Sequence, residues 1–210
     1  DQHETLLARS GKAMVVSHVG ARREHLNHDY GVARVSRDIF DVARDPDVDV
    51  LVELIGGTTV ALDLIKLAIQ QGKHVVTANK ALIAEHGNEL IAMAEASGVQ
   101  MRYEAAVAGG IPVIKVLRES LAANVVTEVA GIINGTGNFI LTEMSTKRRA
   151  FDEVLSEAQA LGYAEADPTF DIDGTDAAHK LVILASLAFG IPLSIDAPTK
   201  QGIQEVAPED

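Results

Sequence analysis

The chain has 210 residues, 47% hydrophobic and only 4% aromatic, enough for one large domain or two small ones with cores of Ala, Val, Leu and Ile. Its 30 acidic against 18 basic residues give a net charge of −12, which repels nucleic-acid phosphates, and no basic stripe offsets it. The absence of cysteine excludes disulfides, thiolate catalysis and Cys-ligated zinc, and fits a cytoplasmic protein. No apolar run approaches the roughly 20 residues of a membrane span. The opening stretch DQHETLLARSGK lacks the pattern of a signal peptide.

In chain order, Ala13 to Gly20 is mostly apolar and β-branched and is expected to be a buried strand. Arg22 and Arg23 follow it. Asp49 to Ile55 is a second strand, ending in Gly56-Gly57. Thr59 is placed to cap a helix, VALDLIKLAIQQ, whose Leu62, Ile65 and Ile69 fall at helical spacing and which Gly72 closes. His74 to Thr77 is a third strand, Asn88 to Ser97 a helix stopped by Gly98, and Val99 to Tyr103 a fourth strand. Strands alternating with helices at this spacing imply βαβ units, hence an α/β fold with a doubly wound parallel sheet.

After about residue 105 the rhythm changes. Gly109-Gly110 opens an amphipathic helix, Ile111 to Ala122. Val125 to Ile133 reads as a strand, NGTGNF as a turn before another helix, and Phe151 to Leu161 as a helix stopped by Gly162. A further helix starts at Asp176 and runs to Phe189. The expected domains are therefore 1–105, nucleotide-binding and Rossmann-like, and 106–210, an α+β domain for substrate.

A dinucleotide-binding half-sheet should open with strand, G-x-G-x-x-G, helix. The sequence contains no such run: Gly135-Thr136-Gly137 supplies a G-x-G, but Ile140 stands where the third glycine belongs. The first strand and phosphate loop of the sheet are then expected outside this sequence. What remains are loops at strand ends, where open α/β sheets bind ligands: Gly56-Gly57 after the second strand, and Thr77-Ala78-Asn79-Lys80 after the third. Two ordinary βα turns satisfy the same pattern. Lys80 sits just past a strand end, where it faces a crevice. Arg22 and Arg23 could accommodate a 2′-phosphate, which tilts the cofactor toward NADP, or be solvated surface residues.

The strongest signal is GYAEADPTFDIDGTDAAHK, Gly162 to Lys180. Glu165, Asp167, Asp171, Asp173 and Asp176 crowd together, and Lys180 lies four residues after Asp176, on the same helix face. A calcium loop is set aside: Gly174 is only fourth from Asp171, and the twelfth residue is Val182 rather than Glu. Clustered carboxylates beside a lysine suit a small substrate with an ammonium group. A surface ion pair and a solvated acidic loop remain alternatives.

These residues are familiar. Ala158, Gly162, Tyr163, Ala164, Asp167, Pro168, Asp171, Ile172, Gly174, Asp176 and Lys180 keep every spacing of a homoserine dehydrogenase signature, and TANK, YEAAVAGGIPVI and NGTGNFI resemble other blocks of that family. The resemblance extends over nearly all of the chain, which looks truncated at both ends relative to the family. It implies reduction of L-aspartate 4-semialdehyde to L-homoserine with NADP or NAD, in the route to threonine, methionine and isoleucine. It gives Lys180 the role of general acid and sets Lys80 across the site. It assigns the substrate's amino group to Glu165 and Asp176, with Asp171, Tyr163, Gly135 and Thr136 nearby, and the cofactor to Gly56, Thr77, Ala78 and Asn79, to which Gly57 and Arg22 are added. It also implies a sodium ion on the Glu104 carboxylate and the carbonyls of Val107, Gly109 and Ile111, and a homodimer. The competing reading is a catalytically impaired fragment that still dimerises or binds substrate.

Overall fold

The computed structural model describes residues 2–23 and 29–209. The elements run α1 (His3–Ser10), β1 (His18–Gly20), β2 (Arg34–Ser36), α2 (Phe40–Arg44), β3 (Val50–Glu53), α3 (Val60–Gln70), β4 (His74–Thr77), α4 (Lys80–Ala96) and β5 (Met101–Arg102). After a 3₁₀ turn at Glu104–Ala106 come α5 (Val113–Lys115), continued by a π-type turn to Ser120, then α6 (Gly135–Lys147), α7 (Phe151–Ala160), α8 (Thr169–Ile172) and α9 (Thr175–Phe189). The chain forms two compact units. One comprises Asp1–Glu53, Thr59–Val76 and Leu90–Met101. The other comprises Leu54–Thr58, Thr77–Glu89 and Arg102–Asp210.

In the first unit, β1 and β2 pair in parallel, His18 opposite Arg34 and Gly20 opposite Ser36. A second sheet has the order β3-β4-β5. Helices α3 and α4 connect its successive strands, the crossover that parallel neighbours need. The inner face of α3 is Ala61, Leu64, Ile65, Ala68 and Ile69, the i, i+3, i+4, i+7, i+8 stripe of a helix on a sheet. Its end is set by Gly72 at φ +72°: Gly72 N–H donates to Ile69 and Lys73 N–H to Ala68, the paired bonds of a Schellman stop. Gly98 and Gly162 end α4 and α7 by the same two bonds.

A buried polar knot holds β1, β2 and α2. His18 bonds Asp45 through Nδ1 at 2.7 Å and Ser36 through Nε2 at 2.8 Å, and Arg34 reaches the same Asp45 oxygen at 2.9 Å. The backbone N–H of Asp47, with His18 and Arg34, outweighs burial and holds the Asp45 carboxyl below the ordinary aspartate range.

The core of the second unit joins Ile140 and Met144 of α6, Val154 and Ala158 of α7, Ala164, and Ile172 of α8. Arg149, in the α6–α7 turn, pairs with Glu143, Glu153 and Glu157 and pins the two helices together. The segment after α9 returns to α4: the Asn88 side-chain amide donates to the Leu193 carbonyl at 2.8 Å and accepts its N–H at 3.0 Å. Gly87 makes room for that approach, since a Cβ there would lie 2.5 Å from a Leu193 methyl.

Several sequence expectations are corrected. The strand expected from Ala13 begins at His18, and Met14, Val15 and Val16 are exposed, because only His18–Gly20 has a pairing partner. Thr59 occupies the N-cap position of α3, but its side chain caps nothing. Helix α4 begins eight residues earlier than expected, at Lys80, because Asn79 accepts the Leu82 N–H and starts it. The helix expected over Ile111 to Ala122 is a short α5 running into a π-type turn. Val125 to Ile133 forms no strand among the described residues. Val125 is 90% exposed and Ile132 79%: β-propensity becomes a strand only when a neighbour supplies the ladder. Gly135 to Phe139 is not a turn but the first turns of α6.

Candidate functional site

Asp176 is the hub. It sits in the first turn of α9, which starts from Gly174 at φ +83°, a conformation glycine adopts freely. Its carboxylate is buried and gripped from both sides. Oδ1 faces Lys80 Nζ at 2.7 Å, and Oδ2 accepts from Lys180 Nζ at 2.6 Å and from Asn134 Nδ2 at 2.8 Å. Lys180, one turn further along α9, also donates to the Ile133 carbonyl at 2.6 Å. Burial pushes the Asp176 carboxyl up, but the bonds from Lys180, Lys80 and Asn134 outweigh it and hold it below the ordinary range. The group is therefore a carboxylate between two ammonium groups.

Asn134 couples the site to helix α6. Its Oδ1 accepts the Gly137 N–H at 2.6 Å and caps the helix, while Nδ2 donates to Asp176 and, at 2.8 Å, to Asp171 Oδ1. The amide orientation is thus fixed: oxygen toward the helix, nitrogen toward the two acids. An open cavity of about 600 Å³ is lined by Asn134, Gly135, Thr136, Phe139, Gly162, Tyr163, Asp171, Asp176 and Lys180. Thr136 donates to the Tyr163 carbonyl at 2.7 Å, and the Tyr163 ring rests on Phe139 with centroids 5.0 Å apart. Of the residues expected to meet substrate, Lys180, Asp171, Asp176, Tyr163, Gly135 and Thr136 come together here. Glu165 stands apart: it is exposed, and its main-chain carbonyl accepts from Gln159.

The acid-rich stretch divides by role. Asp167 accepts from the N–H and hydroxyl of Thr169, which lower its pKa, and Asp173 accepts from the N–H and hydroxyl of Thr175. These two shape the turns at the starts of α8 and α9. Asp171 and Asp176 face the cavity. Sequence reasoning missed Asn134, although an Asn before Gly-Thr-Gly and an apolar run is a legible N-cap signal. It also missed the Ile133 carbonyl, which no side-chain pattern announces.

Around Lys80, the Thr77 hydroxyl accepts the Asn79 N–H at 3.0 Å, and Asn79 Nδ2 donates to the Gly57 carbonyl at 2.7 Å. Gly56 and Gly57 both have positive φ, and a Cβ at either would meet nothing within 4 Å. They leave open the space that a bound group's close approach to backbone requires. Ala78 is half-buried, and Arg22 and Arg23 are exposed beyond β1. Glu104 accepts the N–H groups of Ile114 at 3.0 Å and Lys115 at 2.9 Å, anchoring α5. Val107 is buried and Gly109 and Ile111 are exposed, and the Ile111 carbonyl accepts from Val113. No helix among the described residues is long and apolar enough to cross a membrane.

Comparison with known proteins identifies the family. The homoserine dehydrogenase family profile matches residues 112–210, and that of the homoserine dehydrogenase NAD-binding domain matches residues 2–104. The chain is 59% identical over 207 residues to a homoserine dehydrogenase of Pseudomonas aeruginosa, covering 99% of this chain and 48% of that protein. It superposes on the crystal structure of a homoserine dehydrogenase from Thiobacillus denitrificans with a TM-score of 0.94 at 53% identity, covering 99% of this chain and 48% of that one. A hyperthermophilic archaeal homoserine dehydrogenase in complex with NADPH gives a TM-score of 0.73 at 34% identity, covering 85% of this chain and 54% of that one. The chain spans about half the length of the relatives it matches. With two profiles of one family covering it almost from end to end, the chain belongs to the homoserine dehydrogenase family.

Proposed function

We propose that the protein reduces L-aspartate 4-semialdehyde to L-homoserine with NADP or NAD, with Lys180 donating the proton. One observation carries this reading: a buried carboxylate held between two lysines at the edge of a cavity that also presents Asp171. Asp171 and Asp176 against Lys80 and Lys180 make a charge-balanced site, which suits an amino-acid zwitterion. Asp171 and Asp176, both on the cavity wall, take the ammonium. Lys180, held by Asp176 and the Ile133 carbonyl, protonates the aldehyde oxygen. A lysine side chain aimed by two hydrogen bonds at the cavity is placed to hand a proton to a bound oxygen, which suits reduction.

The nicotinamide, when bound, supplies the hydride. Gly56, Gly57, Thr77, Ala78, Asn79 and Lys80 would hold the cofactor, and the open glycine backbone fits such a group. Arg22 would favour NADP through a 2′-phosphate. Glu104 with the carbonyls of Val107, Gly109 and Ile111 would hold a monovalent cation. Each Glu104 oxygen accepts one N–H and keeps a lone pair, so the set fits a weakly held hard ion. Val125 and Ile132, both exposed, support a homodimer.

The test is NADPH consumption by the full-length protein with aspartate 4-semialdehyde, in the wild type and Lys180→Ala. Turnover lost in the variant with circular dichroism unchanged supports the reading. An inert wild type, or a variant that turns over normally, overturns it.

A further inference from the structure

His179 lies next to Lys180, and the proposed reduction leaves it without a task; any role for it in catalysis rests on that reaction. Its residue is 4% exposed, and its Nδ1 is a buried atom with no hydrogen-bond partner, the one such side-chain atom among the described residues. Native structures rarely keep a buried polar atom unpaired without some return. The ring's surroundings show what it does. It meets Phe170 of α8 edge to face, with centroids 5.2 Å apart and planes at 77°. Lys80 Nζ lies over the same Phe170 ring, 5.7 Å from its centroid. Lys80 and His179 thus meet the same Phe170 ring, and the lysine is the one that grips Asp176.

We propose that His179 is a positioning residue for Lys80: as a neutral imidazole it seats the Phe170 ring that carries the Lys80 ammonium, and its protonation displaces Lys80 from Asp176. The negative face of an aromatic ring attracts a cation. An imidazolium against the same ring would draw on the same quadrupole and repel Lys80 directly. Four charged groups face His179: Glu85 and Lys80 from α4, Asp176 on its own helix, and Lys200 from the segment after α9. Two are acidic and two basic, so they largely offset one another. Burial then decides, and it favours the neutral ring.

The experiment uses the full-length protein with His179→Phe, which keeps a ring that cannot protonate, and Phe170→Leu, which removes the platform. The first readout needs no turnover. At pH 8 the acylation rate of Lys80 by an amine-directed reagent is measured by peptide mass spectrometry, relative to exposed Lys12 in the same digest. Phe170→Leu should raise it about tenfold, as expected for a side chain released from a held geometry, while Lys180 labelling is unchanged. The second readout is kcat for semialdehyde reduction against pH. The wild type should lose activity as pH falls below about 6.5, and His179→Phe should lack that acid limb whatever the height of its plateau. Unchanged Lys80 labelling in Phe170→Leu, or an acid limb that persists in His179→Phe, overturns the proposal. A wild type inert toward the semialdehyde sinks the assigned reaction instead, and the Lys80 labelling then decides the Phe170 platform alone.

Discussion

Lys80 and Lys180 reach opposite oxygens of a single carboxylate from two different helices, one 2.7 Å from Asp176 Oδ1 and the other 2.6 Å from Oδ2. Neither lysine is fully exposed, and Asp176 is buried. The arrangement holds Lys180 on the cavity wall and Lys80 on the far side of Asp176, and makes each depend on the same acid.

Asp176→Asn should therefore do more than remove one charge. It leaves two partly buried ammonium groups without a counter-ion, and breaking such a pair costs about 3–5 kcal/mol. Urea unfolding should show that loss, and kcat/KM should fall by about a hundredfold or more as the lysines lose their geometry. A stability within about 1 kcal/mol of wild type, comparable to the error of extrapolated unfolding energies, would refute the hub role.

Stability should decline with acid in two steps. His179 has a depressed pKa, so folding favours its neutral form. Its contribution is complete above about 6.5 and is lost as pH falls below that value, because the unfolded chain then binds the extra proton. Asp176 and Asp45 are depressed carboxyls. Their contribution is complete above 3.8 and disappears as pH falls through their folded values. Melting temperature followed from pH 8 to pH 3 should show both steps, and His179→Phe should erase only the upper one.

The clamp between α4 and the segment after α9 gives a double-mutant test. Gly87→Ala gains about 1 kcal/mol of helix propensity but drives a Cβ to 2.5 Å from the Leu193 methyl, at a cost of about 1–3 kcal/mol. In a Leu193→Ala background that clash is gone and only a 3.3 Å approach to the Ile83 methyl remains. Gly87→Ala should then stabilise by about 1 kcal/mol, and the cycle measured by denaturant unfolding should be clearly non-additive.

Asn134 should separate cap from site. Asn134→Asp keeps an acceptor for the Gly137 N–H, so helix α6 should lose little stability. It also sets a third carboxylate against Asp171 and Asp176, and kcat/KM should drop by about tenfold or more. Asn134→Ala removes the cap as well and should cost about 1 kcal/mol beyond the Asp variant, read by thermal unfolding.

The site was legible where spacing alone defines it. Asp176 and Lys180 at i, i+4 share a helix face in any α-helix, and the glycines at 72, 98 and 162 stop their helices because few other residues adopt positive φ. Lys80 read as a strand-end residue, and its actual place as first residue of α4 depended on the Asn79 cap. Partnerships across the fold were not legible. The Asn88–Leu193 pair joins residues 105 apart, and the His18–Asp45–Ser36 knot forms only once β1 and β2 pair. The Val125 to Ile133 segment differs from its strand reading because β-propensity belongs to one segment, whereas a sheet takes two.

Lys180 has two anchors of different kinds, a side chain and the main-chain oxygen of Ile133. Alanine scanning passes over the second, since every substitution at 133 keeps the carbonyl. A mutational map would thus credit Asp176 with the whole task of aiming the lysine. Replacing the Ile133–Asn134 amide by an ester weakens that oxygen as an acceptor and would make its share visible.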